Sequence, residues 1–226
     1  MCTNYTPATP LHLIALGDLG AVPWPSEAWP QETYPGYLAP LLMTSASGGV
    51  ASGLARFGLI PRWCRDGARA ASVGRGTYNA RTETVAEKPS FRGAWRESRF
   101  ALAPMLNFFE PCWETGRPVR WRIQRVDGEP LLAAALQEHW RDPQTGESVR
   151  SFSLLTANAD GHPVLGRMHR TVDEKRQMCL VPPAMALDWL SMAPSHAVPW
   201  LAQLPVADLE AQAAPLRHDP QAAWTF

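Results

Sequence analysis

The chain opens Met1-Cys2, and loss of the methionine would leave a cysteine whose α-amine and thiol sit on adjacent carbons. Such a 1,2-aminothiol attacks an aldehyde first through nitrogen and then closes the sulfur onto the imine, giving a five-membered thiazolidine that neither group forms alone. Ordinary pKa values of about 7.7 to 8.0 for an α-amine and about 8.5 for a thiol leave a useful minority of both nucleophilic forms at neutral pH. The start therefore suits an aldehyde-bearing substrate. Any residue can follow an initiator methionine, so this start acquires meaning only from the groups that the rest of the chain brings to it.

Three further stretches carry candidate groups. Glu110 is the one charged residue of the apolar run FALAPMLNFFEPCW at 100–113. A carboxyl set among Phe108, Phe109 and Trp113 is desolvated, which favours its protonated form and suits a proton-transferring acid; the alternative is a paired structural carboxylate. Asn79 and Arg81, in YNARTET at 78–84, are two residues apart and fall on one side of an extended backbone, facing one cleft. Trp63 stands close to Arg62 and Arg65, a combination that stacks on a nucleobase while holding phosphate; a core tryptophan is the alternative. The formal net charge is zero, yet nine arginines and Lys88 lie within residues 56–99 against Asp66, Glu83, Glu87 and Glu97. Planar guanidinium groups favour bidentate contact with phosphate, so this segment points to an anionic partner, unless its arginines are simply spread over a solvated surface.

The elements that must position these groups are short. With 226 residues, 46% of them hydrophobic, ten tryptophans and 22 prolines, the composition predicts one core built from many short elements joined by turns. A short helix is expected over 11–16, an ordered proline-rich loop over 22–40, and strands at 41–50 and 53–63. Helical pattern returns at 91–96. Strands follow at 118–125, 130–136, 151–156 and 178–181, in meander-like order, with a helix at 184–192. No basic start with an apolar core and no apolar run of about 18 residues is seen, so no secretory signal or membrane span is expected, and a cytoplasmic protein is. Cys2, Cys64, Cys112 and Cys179 are far apart, which disfavours a zinc site and a disulfide framework; reduced thiols are the expectation.

In five stretches taken in order, the chain resembles the SRAP family, the SOS response-associated peptidase-like proteins. These are Met1-Cys2, GLIPRW at 58–63, NARTET at 79–84, NFFEPCW at 107–113, and His169 with a basic residue and an L-V-P strand ending at Pro182. The resemblance implies an α+β fold: a single SRAP-like domain over 1–192, mostly antiparallel β-sheet forming a barrel-like core with a few flanking helices. Residues 193–226 would form a C-terminal tail packed through Trp200 and Leu204 or partly disordered. It further implies that the exposed Cys2 forms a thiazolidine crosslink with the ring-opened aldehyde of an abasic site in single-stranded DNA. Asn79 would position it, Glu110 would act as acid and base, and His169 would donate a proton during ring opening. Arg81 and Trp63 would hold and stack the DNA. Autoproteolytic loss of Met1 and strand cleavage are implied as related activities, with no cofactor or metal.

Three departures from the family pattern stand in this sequence. Thr3-Asn4 replaces the usual glycine and arginine after the cysteine, removing one expected phosphate contact. Two residues are inserted between Glu110 and Trp113. The usual compact His-x-Arg-Met-Pro is stretched to HRTVDEKRQMCLVP, so Arg170 or Arg176 takes the arginine's part, and a gapless register counted back from the strand would put Glu174 where the neighbourhood puts His169.

Three function classes follow: a monomeric, nucleoid-associated DNA-damage protein that crosslinks to abasic sites, an N-terminal-nucleophile cysteine amidohydrolase whose α-amine is the base, and a non-enzymatic single-strand-binding module. Only the first uses Cys2 together with the arginine-rich segment.

Overall fold

A computed structural model of the chain describes residues 2–19, 21–45 and 48–216. In chain order the strands are β1 (Tyr5–Pro7), β2 (Leu38–Thr44), β3 (Val50–Phe57), β4 (Asn79–Arg81), β5 (Phe100–Cys112), β6 (Val119–Arg125), β7 (Leu131–Arg141), β8 (Ser148–Asn158), β9 (Arg176–Met178) and β10 (Leu209–Ala213). The α-helices are short: α1 (Pro10–Leu13), α2 (Gly67–Gly74), α3 (Arg92–Arg96), α4 (Ala186–Leu190) and α5 (Pro194–Leu201).

Five strands close on themselves in the order β5, β2, β3, β8, β7 and back to β5. Every seam of this ring is antiparallel except β3 with β8, where Arg56 lies opposite Ser151 and Phe57 opposite Phe152. The expected α+β domain with a barrel-like, mostly antiparallel core is therefore the observed one.

Alternation along the strands sorts the apolar residues into two faces. One set, including Leu41, Met43, Ala55, Phe57, Ala101, Ala103 and Phe152, packs together with Tyr5 and Cys2; its many alanines suit the narrow inside of a five-strand ring. The other, including Phe100, Leu102, Leu132, Leu136 and Leu155, is covered by the helices that carry Trp95 and Trp189. The Trp189 indole N–H donates to the Ala101 carbonyl at 2.8 Å, and its ring meets Phe100 at 4.4 Å and Trp200 at 5.9 Å between centroids.

Several boundaries move. The helix expected at 11–16 is α1 followed by a 3₁₀ stretch over Ile14–Leu19. The strand expected at 53–63 stops at Phe57, where Gly58, with φ of 117°, turns the chain away. The helix expected at 184–192 is a 3₁₀ turn, Pro183–Met185, leading into α4. Beyond Ala193 the chain packs through Trp200 and Leu204, and it supplies α5 and then β10, which pairs antiparallel with β6 from Leu209 opposite Arg125 to Ala213 opposite Trp121. The part of the expected tail at 217–226 lies outside the described residues. No helix among the described residues is long and apolar enough to cross a membrane.

Candidate functional site

The site begins with β1. Its antiparallel pairing with β5 sets Tyr5 opposite Phe108, and the Phe109 N–H donates to the Asn4 carbonyl at 3.0 Å. Continuing this register carries the start of the chain alongside Glu110, although Thr3-Asn4 stands where the family has glycine and arginine. Cys2 is 2% exposed, and its thiol donates to the Asn4 carbonyl at 3.5 Å. Burial pushes the Cys2 thiol far above the ordinary thiol range, and the negative charge of Glu110 beside it raises it further, while backbone groups of Asn4 and Phe109 and the positive chain terminus act the other way. The sulfur is thus held as a thiol until a nearby group takes its proton.

Asn79 approaches along the edge of β8 that β3 also uses, away from β7. As the first residue of β4, which runs parallel to β8 with Asn79 opposite Leu154, it donates from Nδ2 to the Cys2 carbonyl at 2.8 Å. Its Oδ1 is buried and has no hydrogen-bond partner. Glu110, 4% exposed, places Oε2 at 2.9 Å from His169 Nε2. Asn79, Cys2, Glu110 and His169 are therefore brought together in one constellation, from four stretches scattered along the sequence. The pocket beside it, about 410 Å³, is lined by Thr3, Asn4, Phe109, Glu110 and Arg120, with Leu216 at its edge.

His169 is delivered by the loop between β8 and β9. Its N–H donates to the Pro111 carbonyl at 2.7 Å, and short bridges join Met168 and His169 to Cys112. Its φ of 63° lies in the left-handed region, unusual for a residue with a Cβ and held here by these contacts. Glu174, the other candidate for this position, is turned toward arginines: Arg81 Nη1 at 2.8 Å and Arg176 Nη1 at 2.9 Å.

The expected DNA-contacting residues divide. Arg81 is half-exposed and pairs with Glu174. Arg170 is exposed and its guanidinium lies 4.3 Å over the Trp113 ring. Trp63 is 45% exposed, so it is not a core tryptophan; its indole N–H donates to the Pro89 carbonyl at 3.1 Å and Arg69 lies over its ring. Arg176 departs from the expectation. It is 4% exposed, with its guanidinium bonded to Glu83 through both Nη atoms, to Glu174 and to the Thr156 carbonyl, which leaves no face for a phosphate. Of the two arginines after the histidine, the accessible one is Arg170.

Arg120 and Lys175 were not among the residues singled out from the sequence. Arg120 Nη2 lies 2.7 Å from Asn4 Oδ1 and 2.8 Å from Glu32 Oε2, with its guanidinium over the Phe109 ring at 3.2 Å, so it braces the N-terminal segment against β6. One signal was legible for it: the strand VRWRIQR alternates Arg120 and Arg122 with the apolar Val119, Trp121 and Ile123, which puts the two arginines on one face.

A single domain built on a closed five-strand ring, with a buried N-terminal thiol set against a carboxylate and a histidine, is the class that fold and site define together. The chain belongs to the SOS response associated peptidase (SRAP) family, whose sequence profile matches residues 4–216. It is similar to abasic site processing protein YoqW of Bacillus subtilis strain 168, 33% identical over 107 residues, which are 46% of this chain and 44% of that protein. YoaM of the same organism, also named an abasic site processing protein, matches at the same identity and coverage. The chain thus spans less than half the length of these relatives. Among solved structures, a protein from Bordetella bronchiseptica, 28% identical, superposes with a TM-score of 0.83 over 95% of this chain and 100% of its own. One from Bacteroides thetaiotaomicron, 20% identical with a TM-score of 0.77 over 95% of this chain and 93% of its own, shares the fold.

Proposed function

We propose that the protein processes abasic sites in single-stranded DNA, linking itself through Cys2 to the ring-opened aldehyde once Met1 has been removed. Met1 itself lies outside the described residues. The observation that carries this reading is the chain of contacts from Asn79 to the Cys2 carbonyl, and from Glu110 beside the Cys2 thiol to His169.

In this mechanism His169 gives a proton to the ring oxygen of the closed sugar as the hemiacetal opens and the anomeric hydroxyl gives up its own proton to water, leaving the aldehyde. The Cys2 amine then attacks the aldehyde carbon, and loss of one water leaves an imine. Glu110 accepts a proton as the amine attacks, returns it to the departing hydroxyl, and carries the thiol proton to the imine nitrogen as sulfur adds to the imine carbon, which closes the thiazolidine and leaves the carboxylate free again. Asn79 fixes the Cys2 backbone so that amine and thiol face the same carbon. Arg81 and Arg170 hold phosphates and Trp63 stacks on a base. The same groups carry the loss of Met1 and strand cleavage at the abasic site. The protein acts as a cytoplasmic, nucleoid-bound monomer without a cofactor.

Intact-mass measurement after incubation with an abasic single-stranded oligonucleotide tests the proposal. The expected product is protein lacking Met1 plus one oligonucleotide less one water. Cys2→Ala and Cys2→Ser should both lose the stable adduct, keeping at most a weak imine that only reduction traps. A parent protein that binds the strand without gaining mass would instead be a binding module, and an alanine variant that crosslinks equally would remove Cys2 from the chemistry.

A further inference from the structure

The loop that carries His169 is long, and it is closed at its base by a lysine. β8 and β9 pair up to Asn158 opposite Arg176, so residues 159–175 form an excursion between the last rungs of a ladder. Lys175 stands at the foot of that excursion, where its carbonyl accepts from the Ala159 N–H at 2.9 Å. From there its ammonium reaches across the loop to three successive carbonyls: Met168 at 2.7 Å, His169 at 3.2 Å and Arg170 at 2.6 Å. Three backbone oxygens converging on one point demand a compact cation. An ammonium with three donors supplies one hydrogen bond to each, whereas a planar guanidinium cannot. The chain carries only two lysines among 21 basic residues, and one of them occupies this position.

We propose that Lys175 is the positioning residue of His169. The left-handed backbone at His169 turns its carbonyl toward the ammonium while the imidazole faces Glu110. Where the family's compact motif sets the histidine close to the following strand, the insertion here moves it away, and Lys175 ties the inserted loop back to the start of β9. The ion-dipole contacts thus convert a flexible excursion into a fixed mount for one imidazole. This rests on the reading above that His169 serves ring opening.

The test compares Lys175→Met, Lys175→Gln and His169→Ala, alone and combined, in single-turnover crosslinking to two single-stranded oligonucleotides. One carries a natural abasic site, the other an acyclic aldehyde that cannot close a ring. With the closed sugar, Lys175→Met should slow crosslinking by about 10- to 100-fold, the scale of a catalytic group displaced by about an ångström. Lys175→Gln, which retains hydrogen-bond donors, should lose less, and it serves as the measure if the methionine variant does not fold. With the acyclic aldehyde both should react within about twofold of the parent, since there the acid at the ring oxygen has no task. Adding Lys175→Met to His169→Ala should cost nothing further, and the imidazole resonances of His169 should move in the lysine variants without any substrate. Equal slowing on both substrates, a multiplied loss in the double variant, or unmoved His169 resonances would each overturn the proposal. A parent protein that never crosslinks would strike at the proposed function instead, while the imidazole resonances still report on Lys175.

Discussion

Asn79 Nδ2 and the Cys2 carbonyl are 2.8 Å apart, across 77 residues of sequence, so the first strand-like segment of the chain is pinned by a residue of β4 rather than by its own neighbours. Asn79→Ala removes that donor and frees the Cys2 backbone. Crosslinking in a time course is expected to fall by about 5- to 10-fold, the worth of one hydrogen bond of about 1 kcal/mol, with affinity for intact single-stranded DNA unchanged. Asn79→Asp should be slower still, because it sets a negative charge against the carbonyl. Parent-like rates in both variants would detach Asn79 from the chemistry.

Two buried thiols make stability fall in alkaline solution. Burial pushes Cys179 up to about 12 from an ordinary 9.0, and burial with the charge of Glu110 pushes Cys2 further in the same direction. A folded-state pKa above the unfolded one means that the folded chain holds the proton longer. Its contribution is complete below about pH 9 and is lost as pH rises toward 12, at no more than about 1.4 kcal/mol per pH unit for each thiol. Urea unfolding between pH 8 and 11 should show this decline, and Cys179→Ala should flatten it. An equal slope in that variant would place the effect elsewhere.

Gly58 fixes the turn between β3 and α2. Its φ is 117°, and a Cβ placed there would lie 2.1 Å from the Gly74 carbonyl oxygen, a backbone atom that cannot swing aside. Gly58→Ala combines backbone strain with a clash and should cost about 2 to 4 kcal/mol, read as a lowered urea midpoint with an unchanged m value. A variant within about 0.5 kcal/mol of the parent would mean that α2 yields freely.

Arg170 and Arg176 should part company. Arg170→Ala is expected to leave stability unchanged and to lower the slope of log K against log salt by about 0.7, one phosphate's share on a single strand. Arg176→Ala leaves Glu83 and Glu174 without their buried partner. That should cost about 3 kcal/mol, the low end for breaking a buried pair because both glutamates are partly exposed. Salt-slope titration and urea unfolding of the two variants separate these outcomes.

The residues that meet at the site were legible because each stands in a short, chemically odd context: a thiol at position 2, an asparagine before an arginine, a carboxylate among aromatics. Arg176 was not, because a basic residue ahead of an apolar strand reads as exposed, and only the three-dimensional approach of Glu83 shows it buried. β5 escaped for a related reason. Its residues Phe100 to Met105 are buried on both faces, one inside the ring and one under the helices, so the run is continuous where a half-buried strand alternates. α2 had a readable start in Asp66, whose carboxylate accepts from the Arg69 N–H at 2.7 Å, but its run of small residues around Arg69 gave no apolar stripe. β10 is short, with only Leu209 buried, and gains its place from β6.

The parallel seam between β3 and β8 sets a timetable for a chain being made. Hairpin partners such as β2 with β3, or β7 with β8, find each other soon after they leave the ribosome, but Arg56 waits for Ser151 before the ring can shut. Within this chain Cys2 is made well before Glu110, and His169 is made later still than that seam. The Cys2 thiol is therefore made with neither Glu110 nor His169 in place, and these groups meet only after the strands on both sides of that seam exist.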